Sequence, residues 1–165
     1  MTIVVADAGP IIHLSLIGRI DLLPSLFGRL VVPEMVYREV VEAGEGLPGS
    51  TELRDGTWFE LAPHDPRADL FRLLRAQLDP GEAAALWLAA ARKADLVLSD
   101  DRQARVAAES LGISVRGTVG LLVQAKRQGH LSEVSPLLLE LRSRGVWISD
   151  SLIERVLREV GEPIS

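Results

Sequence analysis

Acidic residues stand in this chain where strands give way to helices. Asp7 follows the β-branched run Ile3-Val4-Val5, and Asp100-Asp101 follow a second apolar run, Leu96-Val97-Leu98-Ser99. Parallel strands end at one edge, so carboxylates at such ends converge however far apart they lie in sequence. Glu39 is a third candidate. On a wheel of about 100° per residue it falls between Met35 and Val36, inside the apolar arc completed by Tyr37, Val40 and Val41. Glu82 opens the most apolar helical stretch, and the next bases downstream are Arg92 and Lys93. Clustered carboxylates raise one another's pKa, and a divalent cation removes that penalty. An all-oxygen donor set suits Mg2+ or Mn2+. Such ions activate water and stabilise charge on a phosphoryl oxygen, which is chemistry for hydrolysing a phosphodiester without a covalent intermediate.

Each acid has an ordinary reading beside this one. Asp7 suits a turn, and Glu82 closes a capping box with Asp79. One of Asp100 and Asp101 suits the N-cap of the next helix. Glu39 fits a surface stripe. Any one alone is weak; four together on an alternating α/β pattern are moderately specific.

The elements that must position them follow from the apolar pattern. Strands are expected at the N-terminal run, at Leu30-Val31-Val32, at Trp58 to Leu61, at Leu96 to Ser99 and at Ile113 to Val115. The lack of alternation in Leu96-Val97-Leu98-Ser99 marks a strand covered on both faces. Helices are expected between the strands, including one from Pro33 to about Gly44 and one over Ala83 to Lys93. Residues 44–57, rich in glycine, read as a loop. The last third reads as helical, over about 132–143 and 150–160. Strands alternating with helices predict a parallel sheet with helices on both faces.

Bulk properties narrow the class. With 165 residues, 47% hydrophobic and 25% charged, the chain fits one soluble domain. The absence of cysteine excludes disulfides and thiolate metal sites and fits a cytoplasmic protein. No apolar run reaches the roughly 20 residues needed to cross a bilayer, so no membrane role is expected. The net charge of −5 argues against binding nucleic acid by bulk electrostatics. The charge is uneven, however. Residues 1–101 hold 9 bases and 16 acids, and residues 102–165 hold 9 and 7.

Three stretches carry a resemblance: VVADAGPIIHLSLIGRIDLLPSLFGRLVVPEMVYREVV, DPGEAAALWLAAARKADLVLSDDRQARVAAESLGISVRGTVGLL and AKRQGHLSEVSPLLLELRSRGVWISDSLIERVL. The chain resembles PIN-domain proteins, including VapC-type toxins, over nearly its whole length. The resemblance implies an α/β/α sandwich around a roughly five-stranded parallel sheet. It implies one domain over 1–165, with a nuclease core at 1–129 and a C-terminal helical extension at 130–165. It also implies one or two Mg2+ or Mn2+ ions and cleavage of single-stranded RNA. Asp7, Glu39 and Asp101 match the family's acids, and Glu82 stands where an aspartate is common. Ser99 stands where threonine or serine is usual. The longer Glu82 and the doubled Asp100-Asp101 depart from the pattern, so Asp100 is carried as a further metal ligand.

The expectation is therefore a metal-dependent endoribonuclease using a metal-activated water, the toxin of a toxin–antitoxin pair. Its partners would be RNA, a small antitoxin protein and a second copy in a homodimer. A leucine-rich tail with more apolar surface than one helix layer needs points to the homodimer. Arg102 and Arg105 could guide RNA phosphates, with Ser99 also at the substrate. His13, one turn beyond Asp7, reads as a satisfied helix residue more readily than a phosphate contact. The three tryptophans read as packing residues. Two other functions compete. One is a PIN-like RNA- or protein-binding module without catalysis. The other is a haloacid dehalogenase-like phosphatase, which needs an aspartate two residues after Asp7, where Gly9 stands.

Overall fold

A computed structural model describes residues 2–164. Five short strands, β1 (Val4–Ala6), β2 (Leu30–Pro33), β3 (Phe59–Ala62), β4 (Leu96–Leu98) and β5 (Val115–Arg116), form one sheet in the order β3-β2-β1-β4-β5. All pairings are parallel. The chain builds outward from β1 through β2 to β3, then returns to the other side of β1 with β4. The crevice between β1 and β4 is thus the point where the winding direction reverses, and ligands in open α/β sheets favour that place. The register sets Ala6 beside Leu98, so Asp7 and Ser99 leave the two strands side by side.

The three central strands β1, β2 and β4 are apolar throughout because both their faces are covered, while the edge strands β3 and β5 carry Glu60 and Arg116. Successive side chains alternate between faces. Val4, Ala6, Leu30, Val32, Leu96 and Leu98 join one core layer, and Val5, Val31 and Val97 join the other. The first layer is filled by α1 (Ala8–Leu16), α2 (Leu22–Phe27), α8 (Thr118–Arg127), α9 (Ser135–Ser143) and α10 (Asp150–Val160). The second is filled by α5 (Asp69–Arg75), α6 (Pro80–Arg92) and α7 (Arg102–Ser110). Alanines at 83, 84, 85 and 89 let α6 lie close across β1, β2 and β4. Its N-terminus consequently stands over the carboxyl ends of those strands. This is the α/β/α sandwich with a five-stranded parallel sheet. Among the described residues no helix is long and apolar enough to cross a membrane.

Two expectations about local structure are corrected. Within residues 44–57 a helix forms, α4 (Ser50–Asp55). Gly49 starts it at φ 97° and donates its N–H to Glu52 Oε2 at 3.0 Å, while Leu53 is buried. Six residues are too few to show a helical period. The helix after β2 is also not regular. It begins as α3 (Glu34–Tyr37) and continues as a π-helical segment, Arg38–Glu42, closed by Ala43 N donating to Arg38 O at 2.9 Å. The wider turn buries Val40 and Val41 together and leaves Glu39 exposed, not between two buried positions.

The C-terminal helices are tied down by Glu162. Its carboxylate accepts from Lys126 Nζ at 2.8 Å and from the backbone of Val134 and Ser135 at 2.7 and 2.9 Å. Leu138, Leu141 and Ile148 turn into the same core layer as β1 and α1. Much of the tail's apolar surface is therefore used within the chain, which removes most of the surface argument for a dimer.

Leu122 is fully buried in α8, whereas Leu73 in α5 is 73% exposed. Urea unfolding should show Leu122→Ala losing about 2–5 kcal/mol, and Leu73→Ala changing stability by no more than about 0.5 kcal/mol. Equal losses would contradict the layer assignment.

Candidate functional site

Asp7 extends the β1 ladder by one bond, its N–H donating to Leu98 O at 2.9 Å. Alternation puts its side chain on the Val5 face, under the start of α6. The residue is only 5% exposed. Oδ1 accepts from Ala8 N at 2.8 Å, and Oδ2 from Ser99 Oγ at 3.2 Å. Ser99 Oγ in turn accepts from Asp101 N at 3.2 Å. One hydroxyl thus links the two strand ends across the crevice. Asp101 caps α7, with Oδ1 accepting from Ala104 N at 2.8 Å.

Asp79 and Glu82 form the capping box of α6. Glu82 N donates to Asp79 Oδ1 at 2.8 Å, and Asp79 N donates to Glu82 Oε2 at 3.2 Å. Glu39 reaches the same helix start. A Cβ on Gly81 would lie 2.6 Å from Glu39 Oε2, so the glycine leaves the space that this carboxylate fills.

These acids share one electrostatic field. Burial pushes Asp7 up to about 7, with the Ala8 N–H opposing and the charges of Asp79 and Glu39 adding. Glu82 is also pushed up to about 7, first by burial and then by the charges of Asp79, Asp101 and Asp7, against the Asp79 N–H. Glu39 is raised by burial and by Asp79. Among the described residues no lysine, arginine or histidine pairs with any of Asp7, Glu39, Asp79, Glu82 or Asp101.

Asp100 goes elsewhere. Alternation along β4 sends it with Leu98 toward α1 and α8. Oδ1 accepts from Thr118 N at 2.7 Å; Oδ2 accepts from Thr118 Oγ1 at 2.6 Å and lies 2.7 Å from His13 Nδ1. Burial would raise its pKa, but the bonds from His13 and Thr118 outweigh that and hold it low. Both oxygens are engaged, so the expectation that Asp100 joins the metal ligands gives way to an anchor between helices. His13 finds its partner here. Ser99 is 1% exposed, and its hydroxyl already bridges Asp7 and Asp101, so it positions acids and does not face a substrate. Arg102 and Arg105 are both exposed, and Arg105 lies beside Gly117 at the cleft next to Asp100.

Sequence reasoning missed Asp79 as a member of the cluster, having read it only as a cap. It also missed two glycines that make room for carboxylates. A Cβ on Gly117 would lie 2.7 Å from Asp100 Oδ1, as one on Gly81 would crowd Glu39. The runs Pro80-Gly81-Glu82 and Gly117-Thr118 were the available signals.

Residues 3–162 match the model of a family described as a PIN domain. The chain belongs to this PIN-domain family. No curated protein matches it. PIN domains are of the nuclease-type fold and generally use divalent metals. The donor chemistry of this PIN domain fits such an ion: oxygen ligands only, two carboxylates held near neutral pH, and no protein cation beside them. As the side chains stand, no three of the described acids and histidines form a coordinating group. Glu82 and Asp101 each turn one oxygen to a helix cap, while their other oxygens make no protein hydrogen bond among the described residues.

The raised pKa values set a pH dependence. Asp7 and Glu82 hold protons in the folded PIN domain up to about 7, but in the unfolded chain only up to about 3.8 and 4.5. The folded state binds more protons in that window, so stability falls as pH rises through it. Metal-free protein should melt at a lower temperature at pH 8 than at pH 5.5, and Asp7→Asn should flatten part of that decline. A melting temperature that rises over this interval would refute the electrostatic picture.

Proposed function

We propose that this PIN domain is a metal-dependent endoribonuclease, the cytoplasmic toxin of a toxin–antitoxin pair. The observation that carries the reading is the gathering of uncompensated carboxylates at the crevice between β1 and β4. Asp7, Glu39, Glu82 and Asp101 are the residues assigned to hold Mg2+ or Mn2+ and to serve as the catalytic acids. A bound divalent cation supplies charge to the scissile phosphate and lowers the pKa of a water. The protein's part is preorganisation. Ser99 fixes Asp7 against Asp101, Gly81 admits Glu39, and α6 brings Glu82 over the crevice. Asp79 adds negative charge that strengthens the cluster's hold on a cation.

The histidines support hydrolysis by water over attack by the RNA 2′-hydroxyl. That route usually uses a general base and acid, often histidines. His13 is committed to Asp100, His64 lies tilted against Phe71 with ring centres 4.4 Å apart, and His130 is exposed just after α8. The small antitoxin and the homodimer rest on the resemblance to VapC-type toxins. An antitoxin would silence the enzyme by filling the groove over the acids.

RNA incubated with Mn2+ should be cut to products bearing a 5′-phosphate and a 3′-hydroxyl, and EDTA should stop the reaction. Asp7→Asn should reduce turnover by about 10²–10³, the scale for losing one preorganised electrostatic group. Cyclic-phosphate ends, or full activity in EDTA, would reject this chemistry. RNA binding with no cleavage under any divalent cation would favour the non-catalytic module.

Gly81→Ala separates the site from the fold. Alanine in a helix is favoured over glycine by up to about 1 kcal/mol, so thermal stability should hold or rise. The new methyl should displace the Glu39 carboxylate, and calorimetric titration should show Mn2+ binding weakened by about 10-fold. Unchanged affinity would remove Glu39 from the ligand set.

A further inference from the structure

A cleft of about 900 Å³ opens between β5, α8 and α10. Asp100, one residue from Asp101 in sequence, is among its lining. Its floor is apolar, with Val119, Val123 and Val156. Its charged lining is mainly arginine. Arg127 and Arg144 are paired with Glu159 and Glu140. Arg105, Arg116 and Arg155 also line the cleft and make no ion pair among the described residues; Arg116 bonds only the neutral Gln124. In a chain of net charge −5, such a concentration of free guanidinium marks a place for an anion.

The cleft also holds Trp147, which is 87% exposed. The tail's tryptophan was expected to pack, yet only its neighbour Ile148 does so, at 6% exposure. Ile148 therefore anchors the loop between α9 and α10 and presents the indole at the cleft. An exposed aromatic face beside guanidinium groups is the chemistry that binds single-stranded nucleic acid: bases stack on the ring and phosphates meet the cations. A protein partner could also use tryptophan and arginine. Charge favours RNA: Arg105, Arg116 and Arg155 suit a polyanion, and Asp100 of the same lining is the sequence neighbour of Asp101.

We infer that the cleft is a nucleotide subsite for the RNA strand, in which Trp147 stacks a base and Arg105, Arg116 and Arg155 hold the flanking phosphates. The inference rests on the nuclease reading for the identity of the strand, but its binding chemistry is independent of metal. Its test is therefore run in EDTA. A four-nucleotide RNA titrated into the protein should quench tryptophan fluorescence saturably. Trp147→Ala should remove the quenching and weaken binding, read by anisotropy of a labelled RNA, by about 10-fold or more. Trp147→Phe should retain most of the affinity. Arg155→Ala should weaken binding and lower its salt dependence.

Unchanged RNA affinity in Trp147→Ala, or no saturable binding, would overturn the assignment. So would a dimer, seen by light scattering, that Trp147→Ala dissociates without altering RNA binding. The two readings fail separately. Trp147-dependent RNA binding by a protein that cuts nothing rejects the nuclease and keeps the subsite. Metal-dependent cutting with Trp147-independent binding does the reverse.

Discussion

Asp7 is nearly closed off from water at the end of the central strand, and among the described residues no basic side chain pairs with it. A buried anion without a partner is disfavoured, so the group holds its proton until about pH 7. Its two oxygens are nevertheless fixed, one by the backbone of Ala8 and one by the hydroxyl of Ser99. Those bonds prevent the chain from relieving the strain by turning the side chain to solvent. The neighbouring acids increase the difficulty. The crevice between β1 and β4 is thus a place where the folded chain bears an electrostatic cost, and a cation would remove it.

What keeps these acids in place is the ordinary machinery of helix starts. Asp7, Asp79 and Asp101 each cap a helix, and Glu82 completes the box on α6. The positive end of each helix stabilises a nearby carboxylate by about 0.3–1 kcal/mol. The caps therefore do two things at once. They satisfy backbone N–H groups that would otherwise be orphaned, and they aim charge into the crevice. Capping and the proposed ligand role fall on the same residues without competing, since Glu82 and Asp101 each give only one oxygen to the cap.

The fold was legible because the central strands, covered on both faces, are apolar without alternation, and because helices stand between successive strands. Asp7 and Asp101 could be placed together for the same reason: strand ends in a parallel sheet share an edge. The division of labour between Asp100 and Asp101 was not legible. It depends on which face each residue takes as β4 ends, and on Thr118 and His13 arriving from helices far away in sequence. Glu39 was placed at the right helix, but its exposure was not legible, because a regular wheel cannot show a widened turn. Gly81 and Gly117 stand next to site residues in sequence, but the space a missing side chain provides is visible only once its neighbours are in place.

The widened turn at Arg38–Glu42 holds one residue more than a regular turn would. A version of this helix shorter by one residue would close with standard bonds and would be the easier segment to fold. It would also rotate everything after the missing residue by about 100°. Either the pair Val40-Val41 would leave the core together or the acid before them would swing off the edge of α6. Insertions and deletions in this segment are therefore not interchangeable with those in the neighbouring 44–49 stretch. A length change there alters a surface connection, while the same change four residues earlier shifts the frame in which a carboxylate and a core pair are counted.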